Sequence, residues 1–378
     1  MTGISYWEKT EYFAPQDVVI VGGGFCGLWT ALSLTERNPA LTVTILERGM
    51  IPTGASTRNA GFSCFGSPSE ILSDRKKLGD EELWKLVGMR YAGLQKIRRY
   101  FPGDAIGYDA SGGYECFRSD SDDWEQCAEQ LPWMNKMMSE FTGIHDTFRH
   151  ADSKLNTFGF AGFSHMIEND LEGGLHPAML IGALERKVTQ NGVRIISNIS
   201  VNSFEENERG VTLQTDRNIG FSCSRLVLCT NAFTIRLMPG IDIVPCRGQV
   251  FITHPIEKLP LKGTFHFDSG YYYFRNVQNR LLLGGARNTD FKTEETLNMD
   301  VNQKIQEELE SFAARHLLPG IPFSVDQRWS GIMAMGHEKI PIVRAAGKKT
   351  FVCVRMSGMG VALAPIVADQ VAELLMNS

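Results

Sequence analysis

The feature that most constrains the fold is a short apolar segment that runs directly into a glycine-rich turn. Asp17 to Val21 reads D-V-V-I-V, a β-branched run typical of a buried parallel strand. The turn Gly22 to Gly27 follows, and a helical pattern of apolar residues continues from Leu28 to Leu34. A second strand, predicted from Leu41 to Leu46, ends at Glu47. This order predicts a Rossmann βαβ unit that binds a dinucleotide.

Each position in this unit has a physical role. Gly22 permits the tight turn, Gly24 lets the backbone approach a pyrophosphate, and Gly27 lets helix and strand pack closely. The helix N-terminus offers N–H groups and partial positive charge to phosphates. Glu47 follows Gly27 by twenty residues and can accept the hydroxyls of an adenosine ribose, whereas its charge repels a 2′-phosphate. This unit alone leaves FAD and NAD open.

Two further segments favour FAD. Residues 54–62 read G-A-S-T-R-N-A-G-F, a small polar loop placed where the pyrophosphate of a bound dinucleotide would lead. Near the C-terminus, a strand predicted from Thr350 to Val354 leads through a glycine-rich turn into a helix from Ala362 to Leu375. A reduced flavin carries negative charge near N1 and C2=O, so a second helix N-terminus suits it.

Composition and charge exclude several classes of function. The net charge is −5 without a run of basic residues, which argues against nucleic acid and anionic membranes as partners. Residues 1–13 lack the features of a Sec signal, and the longest apolar stretch is broken by glycines, so we expect a cytoplasmic protein. The eight cysteines form no C-x-x-C pair and are expected to be reduced. The histidine spacing gives no metal site.

These segments resemble the D-amino-acid oxidase-type (DAO family) FAD oxidoreductases. The resemblance covers nearly the whole chain, because matching segments occur in the family's order: V-V-I-V-G-G-G-F-C-G-L, G-A-S-T-R-N-A-G, G-G-L-H-P, C-T-N-A, V-P-C-R-G-Q-V, N-R-L-L-L-G-G, R-W-S-G-I-M and S-G-M-G-V. Arg58-Asn59 and His176-Pro177 are most similar to the γ-glutamylputrescine oxidoreductase branch.

The resemblance implies a Rossmann-type α/β FAD-binding domain of the GR2 type beside an α+β substrate domain with a mainly antiparallel sheet. The FAD domain would comprise residues 1–78, 168–238 and 326–378, and the substrate domain residues 79–167 and 239–325. The implied cofactor-binding residues are Gly22, Gly24, Phe25, Cys26, Gly27, Glu47, Arg48, Ser56, Arg58, Asn59, Ala60, Gly61, Val201, Thr230, Asn231, Ala232, Gly331, Gly358, Met359, Gly360 and Val361.

Local patterns support this layout. A helical stripe predicts an amphipathic helix over residues 80–101, and Pro177 suits the first turn of a helix that continues to Gln190. Strands are predicted over the segments Gly113 to Phe117, Gly192 to Val201, Arg225 to Thr230, Gly248 to Thr253, Tyr271 to Arg275 and Arg280 to Gly284.

The implied chemistry is oxidation of an amine C–N bond to an imine by hydride transfer to flavin N5. It needs little from side chains, so the candidates Tyr271, Tyr273, His176 and His337 are interpreted as groups on the substrate side. Strand alternation would place Tyr271 and Tyr273 on one face and Tyr272 on the other. Arg275 reads equally well as a surface charge.

Several positions depart from the family pattern. Ser330 stands where sarcosine oxidases attach FAD covalently through a cysteine, so non-covalent FAD is expected. Met333 and Met356 replace two arginines that grip a substrate carboxylate, which favours a small-molecule amine over a simple α-amino acid. Leu281 to Leu283 lacks the lysine that assists oxygen, so the electron acceptor is O2 or another molecule.

Three alternatives stay open at this point. One is a D-amino-acid or glycine-type oxidase or dehydrogenase. Another is an NAD-dependent Rossmann dehydrogenase, and the third is a flavin-binding protein with a degenerate site.

Overall fold

The structure, a computed structural model, describes residues 3–378. These residues divide into two compact units. The first unit comprises the described residues up to Thr57 together with Ala178–Pro245 and Met333–Ser378. The second unit comprises Arg58–Pro177 and Cys246–Ile332.

The helices of the described residues are α1 (Tyr6–Glu11), α2 (Phe25–Arg37), α3 (Ala55–Arg58), α4 (Pro68–Tyr100), α5 (Gly103–Ile106), α6 (Asp122–Thr142), α7 (Leu155–Phe158), α8 (Pro177–Gln190), α9 (Phe291–Glu294), α10 (Gln303–Phe312) and α11 (Gly360–Met376). None of them, within residues 3–378, combines the length and the apolar composition that a membrane span requires.

The strands are β1 (Gln16–Val21), β2 (Val43–Leu46), β3 (Phe62–Ser63), β4 (Gly113–Phe117), β5 (Arg149–His150), β6 (His165–Asn169), β7 (Gly173–Gly174), β8 (Arg194–Ile196), β9 (Val201–Asn207), β10 (Gly210–Thr215), β11 (Gly220–Leu228), β12 (Val244–Thr253), β13 (Thr264–Phe267), β14 (Tyr272–Val277), β15 (Arg280–Gly285), β16 (Val325–Met335), β17 (Ile342–Ala345) and β18 (Thr350–Val354).

The first unit is built on a twisted sheet with the order β17-β18-β11-β1-β2-β8. The strands from β18 to β8 pair in parallel, β17 is an antiparallel edge, and β9 and β10 extend β11 as a hairpin. Helices α2 and α11 lie together, with Ser33 Oγ donating to Asp369 at 2.7 Å. β1 and β2 are buried, as parallel strands covered on both faces must be. The predicted Rossmann-type α/β fold is confirmed.

The second unit contains a sheet with the order β16-β12-β15-β14-β13-β4-β6-β5. β13 and β4 pair in parallel, whereas the other pairs from β12 to β5 are antiparallel. The prediction of a mainly antiparallel sheet is therefore confirmed. A short two-stranded sheet of β3 and β7 belongs to the same unit.

The two faces of the large sheet in the second unit differ in chemistry. One face carries an aromatic core in which Phe265, Phe274 and Phe312 are almost fully buried. On the other face, which we call the polar face, Gly284, Tyr273, His266 and Glu115 lie side by side in register across β15, β14, β13 and β4. Successive residues of a strand point to opposite faces, so the alternation of polar and aromatic residues produces this division.

Some predicted elements match and others differ. β4 and β18 have the predicted bounds, and α8 begins at Pro177 as expected. The strand predicted to run to Val201 ends at Ile196, because Asn198 takes a left-handed conformation with φ 61° and Val201 begins β9. The strand predicted to run to Thr230 ends at Leu228. The helix predicted over residues 80–101 is the later part of α4, which Gly79 interrupts with φ 75°.

The borders of the two units differ from the predicted domain borders. Residues 58–78 and 168–177 belong to the second unit, where β3 pairs with β7 and α4 begins. Residues 239–245 belong to the first unit, and residues 326–332 to the second. The assignment of FAD to one domain and of substrate to the other stays a prediction.

Candidate active site

The glycine turn after β1 leaves no space for side chains. A Cβ atom on Gly22, which has φ 108°, would stand 2.7 Å from the carbonyl oxygen of Cys229. A Cβ on Gly27 would stand 1.9 Å from the carbonyl oxygen of Gly22. A Cβ on Gly24 would meet Ser56 Oγ at 2.7 Å. Close packing within the chain therefore requires glycine at these three positions, as in the turn of a dinucleotide-binding βαβ unit.

Polar groups surround this turn in the first unit. The amide of Phe25, the first residue of α2, donates to Ser56 Oγ at 2.9 Å, and Gly24 provides no side-chain cap for the helix. The buried carboxylate of Glu47 accepts from the Gly23 amide at 2.8 Å and the Gly49 amide at 2.9 Å. A helix N-terminus that begins at a glycine and lies beside a buried carboxylate fits the phosphates and the ribose of an adenine dinucleotide.

The ends of β11 and β18 carry an unusual backbone. Asn231 (φ 45°), Arg355 (φ 64°) and Ser357 (φ 47°) are left-handed without being glycine, and Gly358 follows with φ 84°. Ser357 Oγ is buried without a hydrogen-bond partner among residues 3–378. Strained backbone of this kind concentrates at functional sites. An unsatisfied hydroxyl just before α11 fits a polar ligand at that helix N-terminus.

The other predicted cofactor residues of the first unit occupy various positions. Arg48 stacks its guanidinium over the Phe233 ring at 3.6 Å, and the Thr230 hydroxyl lies 2.9 Å from that of Thr234. Val201 pairs with Thr215 in the β9–β10 hairpin. The remaining residues of this set lie at helix starts: Cys26 in α2, Ala232 in the turn after β11, and Met359, Gly360 and Val361 at the start of α11.

His337 lies on the surface of the first unit. Its side chain is 91% exposed, and Nδ1 lies 2.7 Å from Asp242 Oδ1. The Arg355 guanidinium is buried and bonds to Asp242 and to the carbonyl oxygen of Ile340. The hydrogen bond from His337 and the charge of Arg355 hold the pKa of Asp242 below its usual range. This group is therefore a network that fixes the turn before β17.

The second unit holds the remaining predicted cofactor residues. Arg58 donates from Nη1 to the carbonyl oxygen of Ser330 at 3.0 Å, and Trp329 Nε1 donates to the carbonyl oxygen of Arg58 at 2.9 Å. Gly331 follows Ser330 in β16 and is buried. Asn59 Oδ1 accepts from the Gly61 amide at 2.8 Å across Ala60. Residues 58–61 and β16 thus form one connected group.

The interpretation of Arg275 as a surface charge is wrong. The side chain is buried on the polar face, and Nη1 donates to the carbonyl oxygens of Gly61 at 2.6 Å and Leu175 at 3.0 Å. A Cβ on Gly174 would stand 2.3 Å from its Cζ, so the guanidinium packs on a backbone without a side chain. Burial lowers the pKa of Arg275 to about 10. Arg275 thus connects Gly61, which precedes β3, with Leu175, which follows β7.

The three consecutive tyrosines do not alternate as expected. β14 begins at Tyr272, and Tyr271 lies in the preceding turn, where its amide donates to the Asp268 carbonyl. Tyr271 packs against the aromatic core together with Tyr272, so the prediction that it shares a face with Tyr273 is wrong. Tyr273 lies on the polar face with its ring across Gly284, whose Cβ would stand 2.4 Å from the ring. Burial raises the pKa of Tyr273 to about 12, so the phenol stays protonated.

His176 is exposed just before α8, and its amide donates to the Ile106 carbonyl at 2.9 Å. This position suits a residue that leads into a helix. Its role on the substrate side stays a prediction.

Sequence reasoning missed a group of residues on the polar face. Glu70 and His266 lie 3.8 Å apart, and Phe62 contacts the rings of both His266 and Tyr273 edge-on. Glu115 accepts from the amide of Ser69, and burial raises its pKa to about 8. The segment T-F-H-F, in which polar residues alternate with phenylalanine, is the signal that could have identified His266.

No cluster of three or more His, Cys, Asp or Glu residues suited to a metal occurs in the described part of the chain. Seven of the eight cysteines are buried, and Cys26 is half-buried.

Comparison with known proteins gives a family match over most of the chain. The family described as FAD dependent oxidoreductase (DAO) matches residues 17–374. The chain is 24% identical to γ-glutamylputrescine oxidoreductase of Escherichia coli, over 95% of this chain and 83% of that protein. It is 23% identical to the probable oxidoreductase OrdL of Haemophilus influenzae, over 96% and 83% of the two chains.

Two solved structures resemble the fold closely. One is L-proline dehydrogenase from P. horikoshii, with a TM-score of 0.78, 17% identity and coverage of 96% of this chain and 94% of that chain. The other is glycine oxidase from Geobacillus kaustophilus, with a TM-score of 0.76, 20% identity and coverage of 96% and 95%. At these identities the likeness concerns the fold alone.

Proposed function

The chain belongs to the DAO family of FAD-dependent oxidoreductases, and on that premise we propose that it oxidises an amine C–N bond to an imine. When bound, FAD supplies the hydride acceptor, at its N5 atom. Family membership favours FAD over NAD as cofactor, and an enzyme over an inactive flavin-binding protein. The substrate class, the mode of FAD attachment and the residue roles are our inferences.

Two kinds of residue in the first unit would hold FAD. One kind is glycines at positions with no room for a side chain, and the other is residues with a polar group available to a ligand. Gly22, Gly24 and Gly27 would hold the pyrophosphate, and Glu47 the adenosine ribose. Ser357 Oγ and the N-terminus of α11 would take the pyrimidine end of the flavin, because the hydroxyl is buried and unsatisfied within residues 3–378. The Ser330 hydroxyl donates to the Met299 carbonyl and cannot form a thioether, which supports non-covalent FAD.

One observation carries the choice of an amine over a simple α-amino acid. By resemblance to glycine and D-amino-acid oxidases, the positions that would grip a carboxylate are Met333 and Met356, and two arginines with buried side chains, Arg355 and Arg275, already bind protein groups. Arg355 bonds to Asp242, and Arg275 bonds to two backbone carbonyls. A substrate carboxylate bound by either arginine would have to break these contacts and would leave a protein polar group unpaired.

The chain's own residues would act mainly by positioning. Tyr273 keeps its proton over the physiological range and can donate a hydrogen bond from the polar face, since burial raises its pKa to about 12. The amine must be deprotonated before a hydride leaves the α-carbon, and water can remove that proton. We therefore assign no side-chain base. We propose that the enzyme works in the cytoplasm and that O2 or another molecule reoxidises it.

An anaerobic flavin-reduction screen tests the proposal. The FAD-loaded enzyme is mixed with N-methyl amines, diamines, γ-glutamyl amines, glycine, sarcosine and D-alanine, and the flavin absorbance is followed. We expect amines to bleach the flavin and the three amino acids to bleach it poorly. Efficient reduction by glycine, sarcosine or D-alanine would contradict the assignment and favour the amino-acid oxidase alternative. Admission of air then identifies whether O2 is the acceptor.

A further inference from the structure

We propose that Glu70 and His266 form a subsite that binds a second, positively charged nitrogen of the substrate, one that is not oxidised. The inference rests on the proposed amine oxidation and specifies its substrate as a diamine-type molecule. All of the residues that carry it belong to the second unit.

His266 is the buried member of this proposed subsite. Its residue is 7% exposed, and it stands beside Tyr273 in register on the polar face. Within residues 3–378, neither Nδ1 nor Nε2 has a hydrogen-bond partner. Buried ring nitrogens are almost always hydrogen-bonded, so two unsatisfied ones indicate a partner supplied from outside the chain.

The groups around His266 suit a cation. Glu70 Oε2 lies 3.8 Å from Nδ1, which is too far for a hydrogen bond and close enough for one ligand to contact both side chains. Ser67 holds the Glu70 carboxylate through its amide at 3.4 Å and its hydroxyl at 3.2 Å. The Phe62 ring lies 5.1 Å from the His266 ring and 6.0 Å from that of Tyr273. Ammonium groups bind to carboxylates and to aromatic rings, and both kinds of group lie beside His266.

The protonation states agree with this assignment. Burial lowers the pKa of His266, so the imidazole is neutral near pH 7 and offers an acceptor nitrogen to an N–H donor. Burial, with a smaller contribution from the charge of Glu70, raises the pKa of Glu115 to about 8. Glu115 is thus mostly protonated near pH 7, and we assign the cation to Glu70, whose Oε2 lies 3.8 Å from His266 Nδ1.

A carboxylate cannot usefully contact the amine that is oxidised. Hydride transfer requires the neutral amine, and an adjacent carboxylate would stabilise the protonated form. The nitrogen bound by Glu70 must therefore be a different one, which stays charged while the first is oxidised. This distinction points to a substrate with two basic nitrogens.

The test compares three probes of equal chain length on the FAD-loaded enzyme: 1,4-diaminobutane, 1-aminobutane and 4-aminobutanoate. Anaerobic flavin bleaching gives a Kd and a limiting rate for each. We expect 1,4-diaminobutane to bind about tenfold or more tightly than the other two, the range of one charge-assisted hydrogen bond. Glu70→Gln should remove that preference, while Gln can still bond to Ser67. Glu81→Gln, an exposed position on the same helix, is the matched control and should keep it.

Two results would overturn the subsite. One is an undiminished preference for the diamine in Glu70→Gln, and the other is equal or tighter binding of 1-aminobutane or 4-aminobutanoate by the unmodified enzyme. If no amine bleaches the flavin, the proposed oxidation fails, and calorimetric titration with 1,4-diaminobutane still tests the subsite, because its binding must be lost in Glu70→Gln. If Glu70→Gln loses FAD or folds poorly, His266→Gln replaces it in the same comparison.

Discussion

Gly27 has no room for a methyl group, because its Cβ would stand 1.9 Å from the carbonyl oxygen of Gly22. We expect Gly27→Ala to lower the free energy of unfolding by about 1–3 kcal/mol, since the helix must shift from the strand. Gly54→Ala is the matched control, because a Cβ there meets nothing within 4 Å. Urea unfolding without added FAD measures both variants. Equal effects of the two changes would show that close packing at the turn is not what requires glycine.

Glu115 should make stability depend on pH. Burial raises its pKa to about 8 in the folded chain, whereas an unfolded chain has a glutamate pKa of about 4.3. Between these values the folded chain keeps a proton that the unfolded chain has released. The free energy of unfolding therefore falls as the pH rises through this window and levels off above it.

Glu115→Gln should make the free energy of unfolding fall less steeply with pH, by up to about 1.4 kcal/mol per pH unit. This is the slope that the binding of one proton produces. Denaturant unfolding at pH 5.5, 6.5 and 7.5 compares this variant with the unmodified chain and with the exposed Glu81→Gln control. A slope unchanged by Glu115→Gln would mean that this carboxyl group ionises in the folded protein much as it does in water.

The surroundings of a residue could be predicted where its partners lie nearby in the sequence. They could not be predicted where the partners lie far away. Gly22 and Gly27 belong to one βαβ unit, so their spacing indicated the tight turn and the close packing that the structure shows. The role of Glu47 toward a ribose stays a prediction. Arg275 is buried by carbonyl groups that lie 100 and 214 residues earlier in the chain. Its neighbours in sequence contain nothing that distinguishes it from a surface arginine.

A buried ion pair joins strand β12 to helix α9. Arg247 donates from Nε and Nη2 to both carboxylate oxygens of Glu294 at 2.9 and 2.7 Å, and Gln249 donates to the same carboxylate at 2.8 Å. Arg247→Ala would leave Glu294 charged and buried, and we expect a loss of about 3–5 kcal/mol in the free energy of unfolding.

The control for this ion pair is Arg328→Ala, which removes a partly exposed partner of Glu310 and should cost less than about 1 kcal/mol. Chemical denaturation of both variants gives the comparison. Similar losses in the two would indicate that burial adds nothing to the Arg247 pair. The double variant Arg247→Met with Glu294→Met should regain much of the stability, because no unpaired charge remains.

At the level of elements, the strands with clear alternation or continuous apolar runs were predicted well, as β4 and β18 show. The ends that were missed depend on single backbone conformations. Asn198 stops β8 early, and Gly79 with φ 75° interrupts α4. Tyr271 was assigned to a strand because three tyrosines favour β structure, yet the left-handed residues Asp268 and Ser269 turn the chain just before it.

For the whole molecule, the mode of FAD attachment gives a direct prediction. By resemblance, Ser330 stands where sarcosine oxidases have the cysteine that attaches FAD covalently. We therefore expect acid or heat denaturation to release all of the flavin. The denatured enzyme is passed through an ultrafiltration membrane, and the flavin absorbance of the filtrate is compared with that of the retained protein. Flavin absorbance that stays with the protein would mean a covalent bond to another residue.

The borders of the two units differ from the predicted domain borders for a physical reason. Sequence resemblance assigns segments by family order, whereas contacts decide which unit a segment joins. Residues 58–78 follow the nucleotide-binding segment in sequence, but they contain β3 and the start of α4, which associate with the second unit. Only the pairing of β3 with β7, about a hundred residues later in the sequence, shows that this segment belongs to the second unit.

The two faces of the large sheet in the second unit have a consequence for how such an enzyme can change. The aromatic face, with Phe265, Phe274 and Phe312, belongs to a cluster of buried apolar side chains whose burial stabilises the fold. The opposite face, with Tyr273 and His266, carries polar side chains on the same strands. Mutations there leave the phenylalanines one residue away unchanged, so the polar face can vary along a strand while the neighbouring residues keep the fold intact.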